Sequence, residues 1–446
     1  MGVTLELAQF VARTRYEDLP VTATQMAKRC LLDWLGNALA ASRDPSVNAL
    51  LDVFDQMGGN PQSIVIGRGR KNTVLQAAMA NGYLSHFLDF DDTHVPTILH
   101  PTSPVMPAAM ALAESLGSTG KDLITAFVLG VDVATRLAIA ICPSHYEAGW
   151  HVTGSVGPLG AAAAVGTLLR LDSQRLARAF GLAAVAPVGL RENFGTMGKA
   201  FHPGMAAHNG TLASMLAERG FTAAENILEG SNGYLRALSA APNPEVLTQD
   251  LGISFLINEV SFKPYACGVV NHPLIDGVIQ LRDSHAIQPE DVAAIEARMS
   301  AVEPVPQLAA NPQPDSGLSG KFSLAHCAAV ALTDGAAGPA QFTDERARYP
   351  IIRDLRSRFK VQLTKEMGEH EAGVAIILKN GHRLEVYIPH ATGTPENPMS
   401  DAALETKFRR SVAGIISEEA AEKVLSLVSN LEEIKEVGEI MGHLDA

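Results

Sequence analysis

Four cysteines in 446 residues, Cys30, Cys142, Cys267 and Cys327, are too scattered to form a disulfide framework or a thiolate metal site, and no CxxC occurs. They read as reduced thiols, which predicts a cytoplasmic protein. No apolar run reaches the roughly 18 residues of a membrane span. The opening MGVTLELAQFVARTRYEDLP carries acidic residues and no long apolar stretch, unlike a secretory leader. Positive charge is also scarce. Lys and Arg number 35 against 48 Asp and Glu, for a net charge of −13. That argues against nucleic acid or an anionic membrane as partner, while leaving room for a small anion in a locally positive pocket. There is no GxxxxGK[ST] phosphate loop and no HExxH, HxxxH or Cys–His spacing, so no metal is expected.

What the chain does have is apolar residues, 47% of the total, enough for a sizeable core. Up to about residue 260 these recur with helical periodicity. Helices are predicted over 4–14, 22–41, 73–88, 104–116, 120–141, 156–169, 173–185, 203–219 and 222–229. Ser103-Pro104 fits an N-cap and first helical position, Gly117 and Gly220 fit helix ends, and Thr222 and Glu225 have capping-box spacing. Only SIVIG, 63–67, reads as a strand there. Beyond residue 260 the pattern changes. Strands are predicted at 292–302 and 358–366, and a hairpin at 373–389 turns on Asn380-Gly381. Helices at 273–283, 321–334 and 349–357 interleave with them. Helical patterns return at 400–411, 417–428 and 430–437. The expected architecture is therefore mainly α. A large helical domain combines residues 1–260 with the tail 395–446, and a smaller α+β lid, 261–394, is inserted between them.

Chemistry concentrates in FLDFDDTHVPTILHPTSP, 87–104, which holds Asp89, Asp91, Asp92, His94 and His100 just before a helix. Asp91 and Asp92 read equally well as solvated loop charges; Asp89, directly after a helix, is the stronger candidate. His-Pro occurs at His100, His202 and His272, and His151 also precedes an alanine-rich helix. For His202 and His272 the pattern predicts histidine at the N-cap and proline at the first helical position. Helix N-termini expose free N–H groups and attract carboxylates, so four such histidines suggest one polyanion pocket. Lys199, in GTMGKAFHPG, adds a cation that becomes a general acid or base if desolvated. His94, His145, His208, His285, His370, His382, His390 and His443 read as structural or surface groups.

The blocks LDFDDTHVPTILHPTSPVMPAAMALAE, GWHVTGSVGPLGAAAAVGTLLRLD, GTMGKAFHPGMAAHNGTLA, FKPYACGVVNHPLIDGV and KFSLAHCAAVALTDG resemble, in order, the signature segments of the MmgE/PrpD family. The resemblance covers essentially the whole chain. It implies a helical domain with an α+β lid, a homodimer, and no metal or organic cofactor. It also implies a small polycarboxylate as partner. Carried over by position, it marks Asp89, Thr93, His100, His151, Lys199 and His272. His326 stands where the family commonly has tyrosine, and one extra residue separates Thr93 from His100. These departures favour epimerisation of iminodisuccinate, with Lys199, His151 and Asp89 catalytic and Thr93, His100, His202, His272 and His326 binding substrate. The alternative is a lyase that dehydrates 2-methylcitrate or decarboxylates cis-aconitate.

Overall fold

The alanine-rich segments form long helices that lie close together because small residues let their backbones approach. In this computed structural model, residues 2–368 and 370–445 are described. The Val74–Phe87 and Met197–Glu218 helices cross where Gly82 meets Gly204; a Cβ on Gly82 would lie 2.9 Å from Gly204 Cα. Gly157 of the Val152–Leu168 helix faces Pro104 of the Thr102–Leu116 helix, and its Cβ would come within 2.8 Å. These two crossings bring the ends of four helices to one place. The Gly120–Ile141 helix is long and apolar enough to cross a membrane, but 94% of its apolar window is buried inside the protein. It also carries the buried Asp132–Arg136 ion pair at 2.6 Å, as a core helix can.

Two apolar cores result. One draws on residues between Leu7 and Phe262 together with Met399–Leu444. The tail helix Asp401–Val412 lies on the Val21–Ala41 helix, with Phe408 against Gly36. The other draws on Ala266–Ile376, joined by Phe90 and Val95 from the 87–100 segment. The second core lines a four-stranded sheet. Strands β1 (Ser63–Val65) and β2 (Arg70–Asn72) form a separate ribbon. The larger sheet has the order β4 (Phe359–Thr364), β3 (Val292–Ser300), β5 (Ala372–Leu378), β6 (Arg383–Ile388). Its β3–β4 pair is parallel and the rest antiparallel. Gly381, with φ +87°, turns the β5–β6 hairpin, as Asn380-Gly381 predicts. The His272–His285 helix covers this sheet, with Gly277 tight against Val374.

Several helix starts differ from the periodicity reading. The helix placed at 203–219 begins at Met197, capped by Thr196, and Pro203 lies inside it. His202 is therefore in the helix body, and Lys199 is in the first turn rather than in a loop. The helix placed at 156 begins at Val152 with His151 at the N-cap position. The helix placed at 104 begins at Thr102, so Ser103 is not its cap. His272 is the first helical residue, after Asn271. Proline suggests the starts at 104, 203 and 273, but a helix here starts earlier where an upstream side chain, as Thr196 does, holds the preceding turn. Residues 222–229 form turns and not a helix.

Candidate active site

The segment after the Val74–Phe87 helix bridges the two cores. It is pinned by paired hydrogen bonds between Thr93 and Ser261, N–H to carbonyl at 2.8 and 2.9 Å. None of its carboxylates is solvated: Asp89, Asp91 and Asp92 are 3%, 2% and 1% exposed. Asp89 takes the left-handed region at φ +51°, uncommon for a residue with a side chain. That turn points its carboxylate at two lysines. Lys199 Nζ lies 2.9 Å and Lys263 Nζ 2.7 Å from Asp89 Oδ1. Lys263 also donates to the Asp89 carbonyl at 3.1 Å. Burial alone would raise the Asp89 pKa, but the two ammonium groups hold it well below the usual carboxylate range. Burial pushes Lys199 down, against the pull of Asp89, and Lys263 adds to the push. The carboxylate thus stays ionised while the ammonium becomes a better acid. Phe194 and Phe322 flank Lys199, with centroids 5.1 and 5.2 Å from Nζ.

Above this group lies a cavity of about 310 Å³ between the two cores. Asp89, His100, His151 and Lys199 line it from one side, and Lys263, Gly268 and Asn311 from the other. Four of the residues expected from the sequence are thus brought together. Thr93, His202, His272 and His326, expected to hold substrate, do not line the cavity. Thr93 Oγ1 lies 3.2 Å from His100 Nδ1, which also donates to the Asp92 carbonyl at 2.9 Å; Thr93 positions a histidine. His202 Nδ1 is 2.9 Å from His151 Nδ1, so it backs His151. His272 packs edge-on to Tyr265. His326 Nε2 lies 3.2 Å from the Gln341 carbonyl, its ring against Phe342. Burial takes the His326 pKa down to about 4, so it is neutral at physiological pH and offers no charge for a carboxylate.

The chain resembles known proteins along nearly its whole length. The MmgE/PrpD N-terminal domain model matches residues 5–247 and the C-terminal domain model residues 265–433. The chain belongs to the MmgE/PrpD family. Relatives include cis-aconitate decarboxylase of Homo sapiens, 28% identical over 452 residues, covering 98% of this chain and 93% of the relative. Cis-aconitate decarboxylase of Aspergillus terreus is 26% identical over 471 residues, covering 99% and 95%. That of Mus musculus is 26% identical, covering 98% and 92%.

In this MmgE/PrpD protein the sequence reading overlooked two lysines. Lys263 stands alone in FKPYACGVV, and Lys321 opens KFSLAHC. Both are buried. Lys321 donates to the Ala266 carbonyl at 3.0 Å and to the Leu88 carbonyl. Burial lowers its pKa to about 8. The available signal was a lone lysine inside an otherwise apolar stretch, which needs a buried partner. Beneath the cavity His86 Nδ1 meets Asp91 Oδ2 at 2.8 Å, and Ser103 donates to the same oxygen at 2.5 Å. Asp92 accepts from the Thr102 hydroxyl. Burial, with Asp33 and Asp91 nearby, pushes Asp92 up to about 7.

The raised Asp92 pKa has a measurable consequence. The unfolded chain holds an aspartate near about 3.9. Between about pH 4 and 7 the native state therefore binds a proton that the unfolded state lacks. The stability linked to this proton is full below about pH 4 and is lost as pH rises towards 7. Asp92→Asn removes the dependence. The gap in urea midpoint between variant and wild type should shift in the variant's favour as pH rises through this window. A gap independent of pH would mean that Asp92 does not titrate there.

Proposed function

We propose that the protein is a cofactor-independent lyase that decarboxylates a small unsaturated tricarboxylate, with cis-aconitate the first substrate to test. The observation that carries this reading is the buried Asp89 carboxylate with Lys199 and Lys263 on one oxygen, at the base of a cavity that His100 and His151 also line. The likeness to cis-aconitate decarboxylases along nearly the whole chain supports it.

Decarboxylation of such a substrate breaks one C–CO₂ bond. The electron pair becomes a new double bond, and the electrons of the old one take a proton at the carbon next to a remaining carboxylate. The reaction needs cations for the remaining carboxylates, a proton donor facing that carbon, and a poorly solvated place for the departing carboxylate. Lys199 is the donor in this proposal: its ammonium is made more acidic by burial and is recharged beside Asp89. Lys263 and the histidines hold carboxylates. Burial keeps His100 and His151 well below their usual pKa in the empty site. A bound trianion pulls them back up, so substrate binding brings protons with it. The His151–His202 pair sets what His151 offers. When His202 Nδ1–H donates, His151 presents Nε2–H to the cavity. Apolar Ile98, Val269 and Leu308 supply the dry wall.

Epimerisation of iminodisuccinate would use Lys199 and His151 as an acid–base pair, but the residue that favoured it, His326, lies off the cavity. One experiment separates the readings. Protein kept in EDTA is incubated in D₂O with cis-aconitate, 2-methylcitrate and iminodisuccinate isomers, and the products are read by NMR and mass spectrometry. The expected result is a decarboxylated product carrying one deuterium, from cis-aconitate alone. Untouched cis-aconitate beside inverted, deuterated iminodisuccinate would replace the lyase reading with the epimerase.

A further inference from the structure

Three histidine rings meet beside Asp89. His86 comes from the end of the Val74–Phe87 helix, His100 from the bridging segment and His151 from the start of the Val152–Leu168 helix. Their centroids are 4.6 Å (His86–His100), 5.6 Å (His86–His151) and 6.3 Å (His100–His151) apart. One ligand nitrogen from each lies within 4.8 Å of the other two. The Nδ1 atoms are all engaged: His86 with Asp91 at 2.8 Å, His100 with the Asp92 carbonyl at 2.9 Å, His151 with His202 at 2.9 Å. Nε2 of His86 and of His151 is buried with no hydrogen-bond partner among the described residues, and each residue is 1% exposed. Two buried, unpartnered ring nitrogens are costly to leave as they are. Rings fixed through one nitrogen to a carboxylate or carbonyl, with the other turned to a common point, are how proteins present imidazole to a metal.

We propose that His86, His100 and His151 form a binding site for a divalent cation of the zinc class, and that its occupation takes His100 and His151 away from the carboxylate substrate. Nitrogen donors select zinc, cobalt, nickel or copper over magnesium and calcium. Zinc–nitrogen bonds of about 2.1 Å put three ligand atoms about 3.4 Å apart, so each ring has to move by no more than about 1 Å. The fourth position opens on the cavity, which His100 and His151 line. Lys199 and Lys263 oppose a cation here, but both are paired with Asp89, and Asp91 adds a second carboxylate. His151 coordinates in the tautomer whose Nδ1–H donates to His202; a turned Asn193 amide, 3.5 Å from His202 Nε2, completes it. No HxxxH or HExxH spacing betrays the site, because the three rings come from separate elements.

The site stands on ring geometry alone; only its inhibitory effect rests on the lyase reading. Metal-stripped protein is titrated with Co²⁺ and followed by visible absorption. One equivalent per chain should give the intense bands of a four-coordinate ion, which Zn²⁺ then displaces. His86→Ala should weaken binding at least ~10-fold and Asp91→Asn by roughly 10-fold, the effect of losing an outer partner. The exposed His382→Ala should change nothing. If near-UV circular dichroism shows that His86→Ala has lost its fold, His151→Ala carries the same expectation. No saturable spectrum, or one indifferent to these changes, overturns the site. In a parallel assay Zn²⁺ should stop turnover of whichever substrate is active, and EDTA should restore it. Cobalt binding with unaffected turnover would leave the site and remove the inhibition.

Discussion

Lys199→Met is expected to lower kcat by at least ~10²-fold, the low end for losing a positioned proton donor. Methionine keeps the length and the apolar contacts with Phe194 and Phe322 while removing the charge. Lys263 remains 2.7 Å from Asp89 Oδ1, so the carboxylate is not left alone and the fold should hold. The loss should fall on kcat more than on KM, because Lys263 and the histidines still grip carboxylates. Deuterium from D₂O should also enter the residual product more slowly. The measurement is steady-state turnover beside near-UV circular dichroism. A loss of less than tenfold with the fold intact would remove Lys199 from the chemistry and leave it as one more anchor for Asp89.

The second large effect is on stability. Lys407, in the Asp401–Val412 helix, reaches across to Asp33 at 2.6 Å and donates to the Phe90 carbonyl at 2.7 Å. Its ammonium lies 3.7 Å from the centroid of the Phe90 ring. Asp33 and Lys407 are both buried. Removing one partner of such a pair strands a charge, so Lys407→Met should cost about 3–5 kcal/mol in urea unfolding. The double variant Asp33→Leu/Lys407→Met replaces the pair with apolar groups and should recover most of that loss. A single-variant cost under about 1 kcal/mol, or a double variant worse than the single, would show that the pair does not behave as a buried ion pair.

The sequence made some of this legible for physical reasons that can be named. Asn380-Gly381 specified a hairpin because its turn needs positive φ, and Gly381 supplies it. Alanine periodicity located the long helices because their apolar faces are continuous. The start at 203 failed because proline was taken as a boundary: Thr196 caps that helix earlier and Pro203 sits within it, and the helix placed at 156 likewise begins earlier, after His151. At the site, Asp89, His100, His151 and Lys199 were found because titratable groups crowd close to helix ends. Lys263 and Lys321 were missed because their partners, Asp89 for one and Leu88 and Ala266 for the other, are distant in the chain; His86 pairs with the nearby Asp91, but its approach to His151 comes from a separate helix. Local patterning can mark a lone lysine as needing a partner but does not name the partner. His326 was given a substrate role from its departure from tyrosine, but the direction of a side chain depends on packing against Phe342 and Gly320, which a residue type does not reveal.

The Phe90 carbonyl, set between Asp89 and Asp91, is gripped by Lys407 from near the far end of the chain. Order of synthesis therefore matters. The ribosome delivers Asp89, His100, His151 and Lys199 first and Lys263 and Asn311 next, but the group that steadies the bridging segment emerges after all of them. A nascent chain released before Lys407 would have every residue of the cavity but not the ammonium that meets Asp33 and the Phe90 carbonyl. Activity should thus require synthesis past Lys407, and products stopped before it should turn up as substrates for proteolysis rather than as weak enzymes.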